Sequence, residues 1–413
     1  MTHRVVVTGM GTLNPAGHTV QETWANITNG VSGVGPITLF DAKGFLVQIA
    51  CEVKNFDPAR YMDVKETRRR DRYQQLATAA CKEALETSGL KIAPENAERV
   101  AIVVSSAIGG LRTLEDAIRT TAEVGPRRLS PFAIPMLMSN GASGLIAIDT
   151  GAKGPNFSIA SACASGADGI GAAWRLIREG VVDAAITGAS EASIVPVGVG
   201  AFDRLGAMSR RNGDYSMTPQ PFDKNRDGLV MGEGAAILIL EALEHARARG
   251  AEILAELAGY AATADAFHIT APAEDGGGGA LAMQKALEAA GLNPDDVDYI
   301  SAHGTATPLN DASETAAIKR AFGQQAYKVP ISSTKSMTGH MMGATGALEA
   351  IFCVQVIRTN TLPPTIHYQT PDPVCDLDYV PNTARETRVN VAMSNAFGFG
   401  GHNAVLVLKR FTG

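Results

Sequence analysis

The chain has 413 residues, a formal net charge of −6 and a pI near 5.8, and this acidic balance argues against a dedicated nucleic-acid binder. It is 45% hydrophobic and 19% charged, with a mean hydropathy of +0.03, so it can bury a large interior. The length suits two domains or two fused halves better than one simple core.

The cysteines and the N-terminus indicate the compartment. The five cysteines are far apart, odd in number and form no CxxC pair, which predicts a reducing compartment without structural disulfides or zinc. The first apolar run, "RVVVTG", is too short for a signal peptide. Residues 130–148 lack charge over a membrane-like length, but prolines and glycines interrupt them, so we predict buried irregular structure and no membrane span. The expected location is the cytoplasm.

Short β-branched runs alternate with helical patterns, which predicts parallel sheets covered by helices on both faces. In the first half the pattern predicts strands over 4–9, 100–107 and 184–192. A helix is predicted over 70–90, and another follows Cys163 and ends at Gly180.

The second half shows the same alternation. It predicts a strand entering a loop over 298–305, a strand over 329–335 and a buried apolar helix over 343–357. A helix over 310–322 carries Asp311 as its cap and Glu314 three residues later, the pattern of a capping box. Similar successions around Cys163 and His340 suggest an internal duplication. We place its halves at 1–258, carrying the cysteine, and 259–413, carrying both histidines.

Cys163 lies in the stretch "NFSIASACASGADGIGAAW", between an extended run and a Gly/Ala-rich helix, with only small residues beside it. A lone cysteine is usually buried filler. At a helix N-terminus, however, free N–H groups and the helix dipole stabilise a thiolate, lower its pKa and can hold the oxyanion of an attacked carbonyl. Position alone leaves close packing and nucleophilic chemistry as equal alternatives.

His303 and His340 each follow a predicted strand, in the loops "SAHGTATPLND" and "STKSMTGHMMGATGA". Two such loops on parallel strands would converge at the carboxyl ends of the sheet, where α/β proteins build active sites. One cysteine with two histidines suits acyl transfer, since a thiolate can carry the acyl group and imidazoles can stabilise developing negative charge. Zinc fits less well, because no pair of ligands has the usual spacing.

Three other motifs are weaker. "VVVTGMGTLNPAG" resembles a dinucleotide fingerprint, but Asn14 occupies the third glycine position. No G-x-S-x-G occurs, which disfavours an α/β-hydrolase. Residues 222–236 resemble half a calcium loop without the closing glutamate and predict an ion-paired structural loop.

Two basic clusters stand out against the acidic total, over 65–72 and 126–129, with Arg204, Arg210 and Arg211 as possible additions. A run of charges is usually a solvated helix face. If the clusters border a pocket entrance, they would suit an acidic partner that carries the substrate.

The motifs taken together resemble a known family. The chain is similar over nearly its whole length to the β-ketoacyl-[acyl-carrier-protein] synthases, thiolase-like condensing enzymes, and most to the type II elongating members. The resemblance depends on five motifs in order: "SACASGADGIGAA", "PFDKNRDGLVMGEGAA", "AHGTATPLND", "STKSMTGHMMGATGALEA" and "SNAFGFGGHN".

The resemblance implies a thiolase-like α/β fold with two duplicated halves in five layers, αβαβα, assembled as a homodimer. It implies decarboxylative condensation of acyl- and malonyl-[acyl-carrier protein] to a 3-oxoacyl carrier in fatty-acid elongation. The acyl carrier protein would be the partner and would bring the phosphopantetheine. No cofactor and no catalytic metal would be required, although a structural monovalent cation is possible.

The resemblance also implies roles for individual residues. Cys163 would be the nucleophile, His303 and His340 the paired histidines, Lys335 an organiser of the site, and Phe399 the gate whose N–H completes an oxyanion hole. Glu349 would pair with Lys335 or with an internal cation. The remaining positions divide into substrate-binding residues, which are Ile108, Phe202, Thr270, Thr305, Thr307 and Phe397, and carrier-protein surface residues, which are Lys65, Arg68, Arg69, Arg127 and Arg128.

Several departures concern acyl-chain preference and carrier affinity. "ASACASG" replaces the more usual "STACATG", Gly206 stands where some relatives carry a carrier-binding arginine, and Ala133 where an aromatic pocket residue is frequent. A ketosynthase of a polyketide or other secondary pathway is the nearest alternative. A thiolase, a condensing enzyme primed by coenzyme A, a non-catalytic chain-length factor and a dinucleotide-binding oxidoreductase fit less well.

Overall fold

The computed structural model describes residues 2–413. Its strands are β1 (Val5–Leu13), β2 (Gly35–Pro36), β3 (Ile49–Ala50), β4 (Val100–Ser105), β5 (Asn156–Phe157), β6 (Ala184–Glu191), β7 (Gly234–Ala242), β8 (Ala255–Ala264), β9 (Tyr299–Ser301), β10 (Ile331–Ser332), β11 (Thr361–Leu362), β12 (Arg385–Glu386), β13 (Val391–Gly398) and β14 (His402–Lys409). Its α-helices are α1 (Val20–Thr28), α2 (Val64–Thr67), α3 (Arg72–Ser88), α4 (Leu111–Glu123), α5 (Ala133–Leu137), α6 (Gly141–Thr150), α7 (Ser165–Arg178), α8 (Pro196–Arg204), α9 (Leu243–Ala248), α10 (Gly277–Ala290), α11 (Pro308–Phe322), α12 (Lys335–Thr338) and α13 (Thr345–Thr359).

Ten strands pair in the order β10-β9-β13-β14-β8-β1-β7-β6-β4-β5. This order is two five-stranded sheets joined where β1 and β8 pair over only two residues, Val6 with Glu256 and Val7 with Ala255. Within each sheet the first strand is antiparallel to its neighbour and the last three strands are mutually parallel. The strands of the two sheets therefore correspond one to one, as expected for duplicated halves.

Helices cover and separate the two sheets in five layers. One outer layer, α3 and α6, packs on the sheet of the first half, and the other, α10 and α11, packs on the sheet of the second. The central layer consists of α7 and α13, which contact each other and bury their apolar side chains between the sheets. The predicted αβαβα fold is confirmed.

Gly9 and Gly11 of β1 explain the resemblance to a dinucleotide fingerprint. A Cβ atom on Gly9 would lie 2.4 Å from the carbonyl oxygen of Ala84, and one on Gly11 would lie 2.1 Å from that of Ala80. Both glycines let helix α3 approach the strand closely, so their role is helix packing.

Residues 130–148 correct one prediction. We expected buried irregular structure, but the segment forms α5 and most of α6 and leaves large apolar side chains at the surface. Ile134 is 63% exposed and Ile148 is 78% exposed. The absence of charged residues in this segment therefore reflects an apolar surface, not a buried interior.

The capping box predicted at Asp311 and Glu314 is also wrong. Helix α11 begins earlier, and the side chain of Thr307 accepts a hydrogen bond from the Asn310 N–H. Asp311 instead accepts from the backbone N–H of Phe222, and Glu314 accepts from the backbone of the loop before the helix. Both carboxylates serve tertiary contacts, which a local motif cannot reveal.

The strand predicted over 329–335 is shorter than expected, because Lys335 already begins helix α12. The boundary at 258/259 stays a prediction; β8, which opens the second sheet, spans it. Among residues 2–413, no helix combines the length and the apolar character needed to cross a bilayer.

Candidate active site

Cys163 lies in a tight turn immediately before α7. Ala162 adopts a positive φ of 50°, and the Ser165 hydroxyl, at the first position of α7, donates to the Ala162 carbonyl and accepts from the Ser161 N–H. These bonds fix the turn that carries the sulfur. The cysteine is 8% exposed and that surface faces a cavity, so the sulfur is reachable.

The cavity has a volume of about 310 Å³ and lies between the carboxyl ends of strands from both halves. It brings together nine of the residues predicted from the sequence to form the site. They are Cys163, Phe202, Thr270, His303, Thr305, Thr307, His340, Phe397 and Phe399.

Both histidines face Cys163. The Nε2 atom of His340 lies 3.1 Å from the Cys163 sulfur, and its Nδ1 atom lies 3.0 Å from the Thr345 hydroxyl oxygen. The ring of His303 lies edge-on to that of His340, with centroids 5.3 Å apart. One donor atom from each of the three residues lies within 4.8 Å of the others, so a single reacting group can contact all three.

Burial sets the protonation states. Burial, and then the charge of Lys335, holds the pKa values of His303 and His340 well below the usual range, so both rings are neutral at pH 7. Burial also raises the pKa of the Cys163 thiol to about 11, which the Lys335 charge and two backbone N–H groups offset only in part. The predicted resting thiolate is therefore wrong. Desolvation exceeds the effect of the helix N-terminus, and the sulfur carries its proton beside a neutral imidazole.

Lys335 and Glu349 form an ion pair behind the histidines. The lysine Nζ lies 2.5 Å from Oε1 of the glutamate, and both side chains are 1% exposed. Burial raises the pKa of Glu349 to about 7, and the lysine charge opposes that rise. The pairing predicted from the resemblance is present in this geometry.

Buried side-chain oxygens without partners on α13 and β13 have the ligand chemistry of a structural cation site. Among the described residues, Glu349 Oε2, Asn395 Oδ1 and Ser394 Oγ have no hydrogen-bond partner. Glu349 is on α13, which packs on the strand β13 that carries the other two. Hard cations prefer carboxylate, amide and hydroxyl oxygens, so this donor set suits such an ion. The cation itself stays a prediction.

Phe399 lies at the mouth of the cysteine turn. Its backbone N–H and that of Cys163 both stabilise negative charge on the sulfur. Its ring stacks on Phe202, with centroids 6.2 Å apart. A Cβ atom on Gly398 would lie 2.9 Å from the Ser161 carbonyl oxygen and 3.0 Å from the Cys163 nitrogen, so only glycine lets the two segments approach this closely.

The remaining predicted substrate residues divide into two groups. Phe397 lies beside His303, with ring centroids 6.0 Å apart, and the hydroxyls of Thr305 and Thr307 are 2.9 Å from each other. These residues and Thr270 line the cavity. Ile108 follows β4 and does not line it, so its role stays a prediction without support from the cavity geometry.

The predicted carrier-protein surface is exposed. Its five members, Lys65, Arg68, Arg69, Arg127 and Arg128, all lie at the surface. The Arg69 guanidinium stacks over the ring of Phe132, 4.9 Å from its centroid, which brings the first basic segment beside the chain that follows the second. Arg70 of the first segment is buried against Asp149, so it has a structural role.

The sequence reasoning did not assign three polar residues to the site. Glu191, at the end of β6, is buried and accepts from the Ala107 and Gly343 backbone N–H groups and from the Ser106 hydroxyl. Glu314 accepts from the N–H groups of His303 and the next residue, and so fixes that loop. Thr345 contacts His340. For Glu191, the available sequence signal was an acidic residue at the end of an otherwise apolar predicted strand.

Known proteins share these features. Residues 2–246 match the family described as Beta-ketoacyl synthase, N-terminal domain, and residues 254–369 match Beta-ketoacyl synthase, C-terminal domain. The chain belongs to the β-ketoacyl synthase family. The resemblance seen in the sequence is confirmed.

Relatives in this family are similar over their full length. A 3-oxoacyl-[acyl-carrier-protein] synthase 2 of Staphylococcus aureus is 50% identical over 408 residues, which cover 99% of this chain and 98% of the relative. The protein of that name from Synechocystis is 49% identical with the same coverage.

Solved β-ketoacyl synthases share the fold. A type II polyketide ketosynthase solved with its acyl-carrier protein and a hexaketide has a TM-score of 0.92 and 36% identity, with complete coverage of both chains. A β-ketoacyl synthase from Burkholderia phymatum has a TM-score of 0.92 and 35% identity, covering 99% of this chain and 100% of the other.

Proposed function

We propose that this β-ketoacyl synthase condenses acyl-[acyl-carrier protein] with malonyl-[acyl-carrier protein], releasing CO2, free carrier protein and a 3-oxoacyl carrier two carbons longer. This is the elongation step of type II fatty-acid synthesis. The observation that carries the proposal is the 3.1 Å contact between the Cys163 sulfur and the His340 Nε2 atom, with His303 in the same cavity.

Acyl transfer comes first. The Cys163 sulfur attacks the thioester carbonyl of the acyl carrier, forming a new C–S bond as the carrier C–S bond breaks. Because the thiol is protonated at rest, its proton passes to the neutral His340 ring and then to the departing carrier sulfur. The N–H groups of Cys163 and Phe399 stabilise the tetrahedral oxyanion.

Condensation follows at the same cysteine. The malonyl thioester loses CO2, and its enolate oxygen accepts hydrogen bonds from the N–H groups of the neutral His303 and His340 rings. The enolate carbon attacks the acyl group on Cys163, the new C–C bond forms as the Cys163 C–S bond breaks, and the departing thiolate takes a proton from solvent. The positive charge of Lys335 behind both rings favours the anionic intermediate.

The lining of the cavity suits the two parts of the substrate. Thr270, Thr305 and Thr307 present hydroxyls for the polar phosphopantetheine arm, which arrives on the carrier protein. Phe202 and Phe399 stack beside the cysteine and provide apolar surface toward the acyl chain. We assign Ile108 to the acyl pocket on the family resemblance alone.

An acidic carrier protein docks on the basic surface formed by the five exposed residues Lys65, Arg68, Arg69, Arg127 and Arg128. Their charge opposes the net charge of −6 of the whole chain, so they select for and steer an acidic partner. The polyketide ketosynthase of the same fold, solved with its carrier protein, supports a partner of this class.

A second copy of the chain packs on α4, α5 and α6, forming a homodimer. Ile118, Ile134 and Ile148 are each more than 60% exposed on these helices, an unusual apolar content for a solvated face. Within residues 2–413, the neighbouring β5 pairs only with β4 and ends the sheet, so its outer edge is free to pair with the edge of a second copy.

The reaction needs no organic cofactor and no catalytic metal, and it takes place in the cytoplasm. Every charge that forms lies near an imidazole, a lysine or a backbone N–H of this chain. A structural monovalent cation at the oxygens of Glu349, Ser394 and Asn395 would hold those groups in place.

A polyketide or other secondary-pathway ketosynthase is the second candidate, favoured by solved neighbours such as a ketosynthase/chain length factor pair with a TM-score of 0.92. That pair is 37% identical to this chain, whereas the 3-oxoacyl synthase 2 relatives reach 50%. The higher identity favours fatty-acid elongation.

The deciding experiment is incubation with long-chain acyl carrier protein and malonyl carrier protein, followed by mass analysis of the carrier. A single 3-oxoacyl product two carbons longer is expected. The Cys163→Gln variant should lose condensation but retain malonyl decarboxylation. Repeated extension without reduction would favour the polyketide alternative, and the absence of any elongated product would contradict both.

A further inference from the structure

We propose that Thr345 is a positioning residue that lets His340 take the proton of Cys163. The inference rests on the proposed function for the identity of the acyl donor, but the contact itself belongs to the structure. The Thr345 hydroxyl oxygen lies 3.0 Å from His340 Nδ1, and on the other side of the same ring Nε2 lies 3.1 Å from the sulfur.

The contact is specific. Within residues 2–413, His340 Nδ1 is the only hydrogen-bond partner of the Thr345 hydroxyl, and the residue is 2% exposed. The other histidine differs, since His303 Nδ1 is buried without a partner. Of the two rings, His340 alone thus has a hydroxyl partner that can set its tautomer, and His340 is the ring that contacts the nucleophile.

The duplicated fold uses the same device twice. Thr345 is the first residue of α13, and Ser165 is the first residue of α7, the equivalent central helix of the other half. The Ser165 hydroxyl holds the turn that carries Cys163, as the Thr345 hydroxyl holds the ring of His340. Each central helix therefore begins with a hydroxyl that positions one catalytic residue, through the backbone of the turn for Cys163 and through the ring for His340.

The chemistry requires a partner of this kind. When Nδ1–H donates to the Thr345 oxygen, the Nε2 lone pair faces the thiol and can accept its proton as the sulfur attacks. During condensation Nε2–H must donate to the enolate, and the same hydroxyl can then donate to Nδ1. The neutral tautomers interconvert through the protonated ring, and a hydroxyl satisfies both because it donates and accepts.

Thr345→Val removes the hydroxyl with little change of shape. A buried N–H without an acceptor is costly, so the ring should favour the Nε2–H tautomer, which cannot accept the thiol proton. Proton transfer from Cys163 then depends on hydroxide. Enolate stabilisation needs Nε2–H and should persist.

The test measures alkylation of Cys163 by iodoacetamide with mass spectrometry between pH 6.5 and 8.5, which needs no carrier protein. The wild-type rate should vary little with pH. The Thr345→Val rate should be about tenfold lower or more near neutral pH and rise about tenfold per pH unit. Thr345→Ser should restore the wild-type profile, and Thr187→Val, which removes a buried hydroxyl bonded to Val103, should not change it.

Carrier-dependent assays add a second discrimination. Transfer of the acyl group to Thr345→Val should fall while malonyl decarboxylation remains near the wild-type rate. The proposal is overturned if Thr345→Val lowers the alkylation rate of Cys163 equally at all pH values. It is also overturned if Thr345→Ser fails to restore the wild-type dependence of that rate on pH. If Thr345→Val does not fold, Thr345→Ala tests the same loss of the hydroxyl. Normal alkylation profiles without acylation of the wild type by any carrier would contradict the proposed function instead.

Discussion

The Nζ atom of Lys335 lies 2.5 Å from Oε1 of Glu349, and both side chains are 1% exposed. This pair places a compensated charge directly behind the reactive groups. The lysine favours the thiolate of Cys163 and the neutral forms of His303 and His340. Its position therefore affects both folding and chemistry.

Removing one member of this pair should destabilise the fold strongly. Lys335→Met leaves the carboxylate of Glu349 buried without its cation, and the free energy of unfolding should fall by about 3–5 kcal/mol. Urea denaturation would measure the loss, and the double variant Lys335→Met/Glu349→Leu should recover most of it. The exposed pair Arg358–Glu252 is the control, since Arg358→Met should cost less than about 1 kcal/mol. If Lys335→Met and Arg358→Met lost equal amounts of unfolding free energy, the loss in Lys335→Met could not be attributed to a buried charge.

Cys163 should be a thiol, not a thiolate, in the free protein at pH 7, because burial raises its pKa to about 11. The difference in absorbance at 240 nm between the wild type and Cys163→Ala should show thiolate only as the pH approaches that value. A midpoint below pH 8 would restore the resting thiolate expected from the sequence. Cys163 should still be alkylated faster than the other four cysteines, because it alone among them lines the cavity.

Local signals explain which parts of the fold and site the sequence predicts. Helix α3 carries apolar residues at helical spacing, and the helix predicted over 70–90 agrees with it to within two residues at each end. The loops of Cys163, His303 and His340 combine a strand end, small residues and a reactive side chain, and the fold brings all three into one cavity.

Long-range contacts explain the rest. The Asp311–Glu314 spacing imitates a capping box, but Asp311 accepts from the backbone of a distant segment and Glu314 accepts from the backbone of the loop before the helix. The pKa of Cys163 depends on burial that only the assembled halves create. Residues 130–148 expose several large apolar side chains, which the sequence could not show because an apolar surface and an apolar interior have the same composition.

Gly398 should be intolerant of substitution. Gly398→Ala would place a methyl group 3.0 Å from the Cys163 nitrogen and 2.9 Å from the Ser161 oxygen, so the turn that carries the nucleophile must move. A displacement of this kind should lower kcat by about 100-fold. Gly213→Ala, where an added Cβ meets no atom within 4 Å, is the matched control and should keep wild-type kcat. Unchanged turnover in Gly398→Ala would show that the close approach is not needed.

The apolar face of α4, α5 and α6 should mediate dimerisation. Replacing Ile134 and Ile148 by aspartate puts charges at the centre of the proposed contact, so sedimentation or light scattering should show a monomer. Val374, which is 56% exposed in a different part of the chain, provides the control, because Val374→Asp should remain dimeric. A dimer that persists in the double isoleucine variant would place the interface on another surface.

Glu191 should make stability fall with rising pH. Burial raises its pKa to about 7 in the folded protein, above its ordinary value of 4.5, so the folded state holds this proton more tightly than the unfolded state does. The favourable contribution of the protonated carboxyl is complete below about pH 4.5 and is lost as the pH rises through about 7. Glu191→Gln cannot ionise, so between pH 5 and 8 its free energy of unfolding should gain about 2–3 kcal/mol relative to the wild type. Ser106→Ala removes one hydrogen bond to the carboxyl but keeps the ionisable group, and it should follow the wild-type trend with pH. A constant difference between Glu191→Gln and the wild type in urea denaturation would show that the carboxylate stays ionised in the fold.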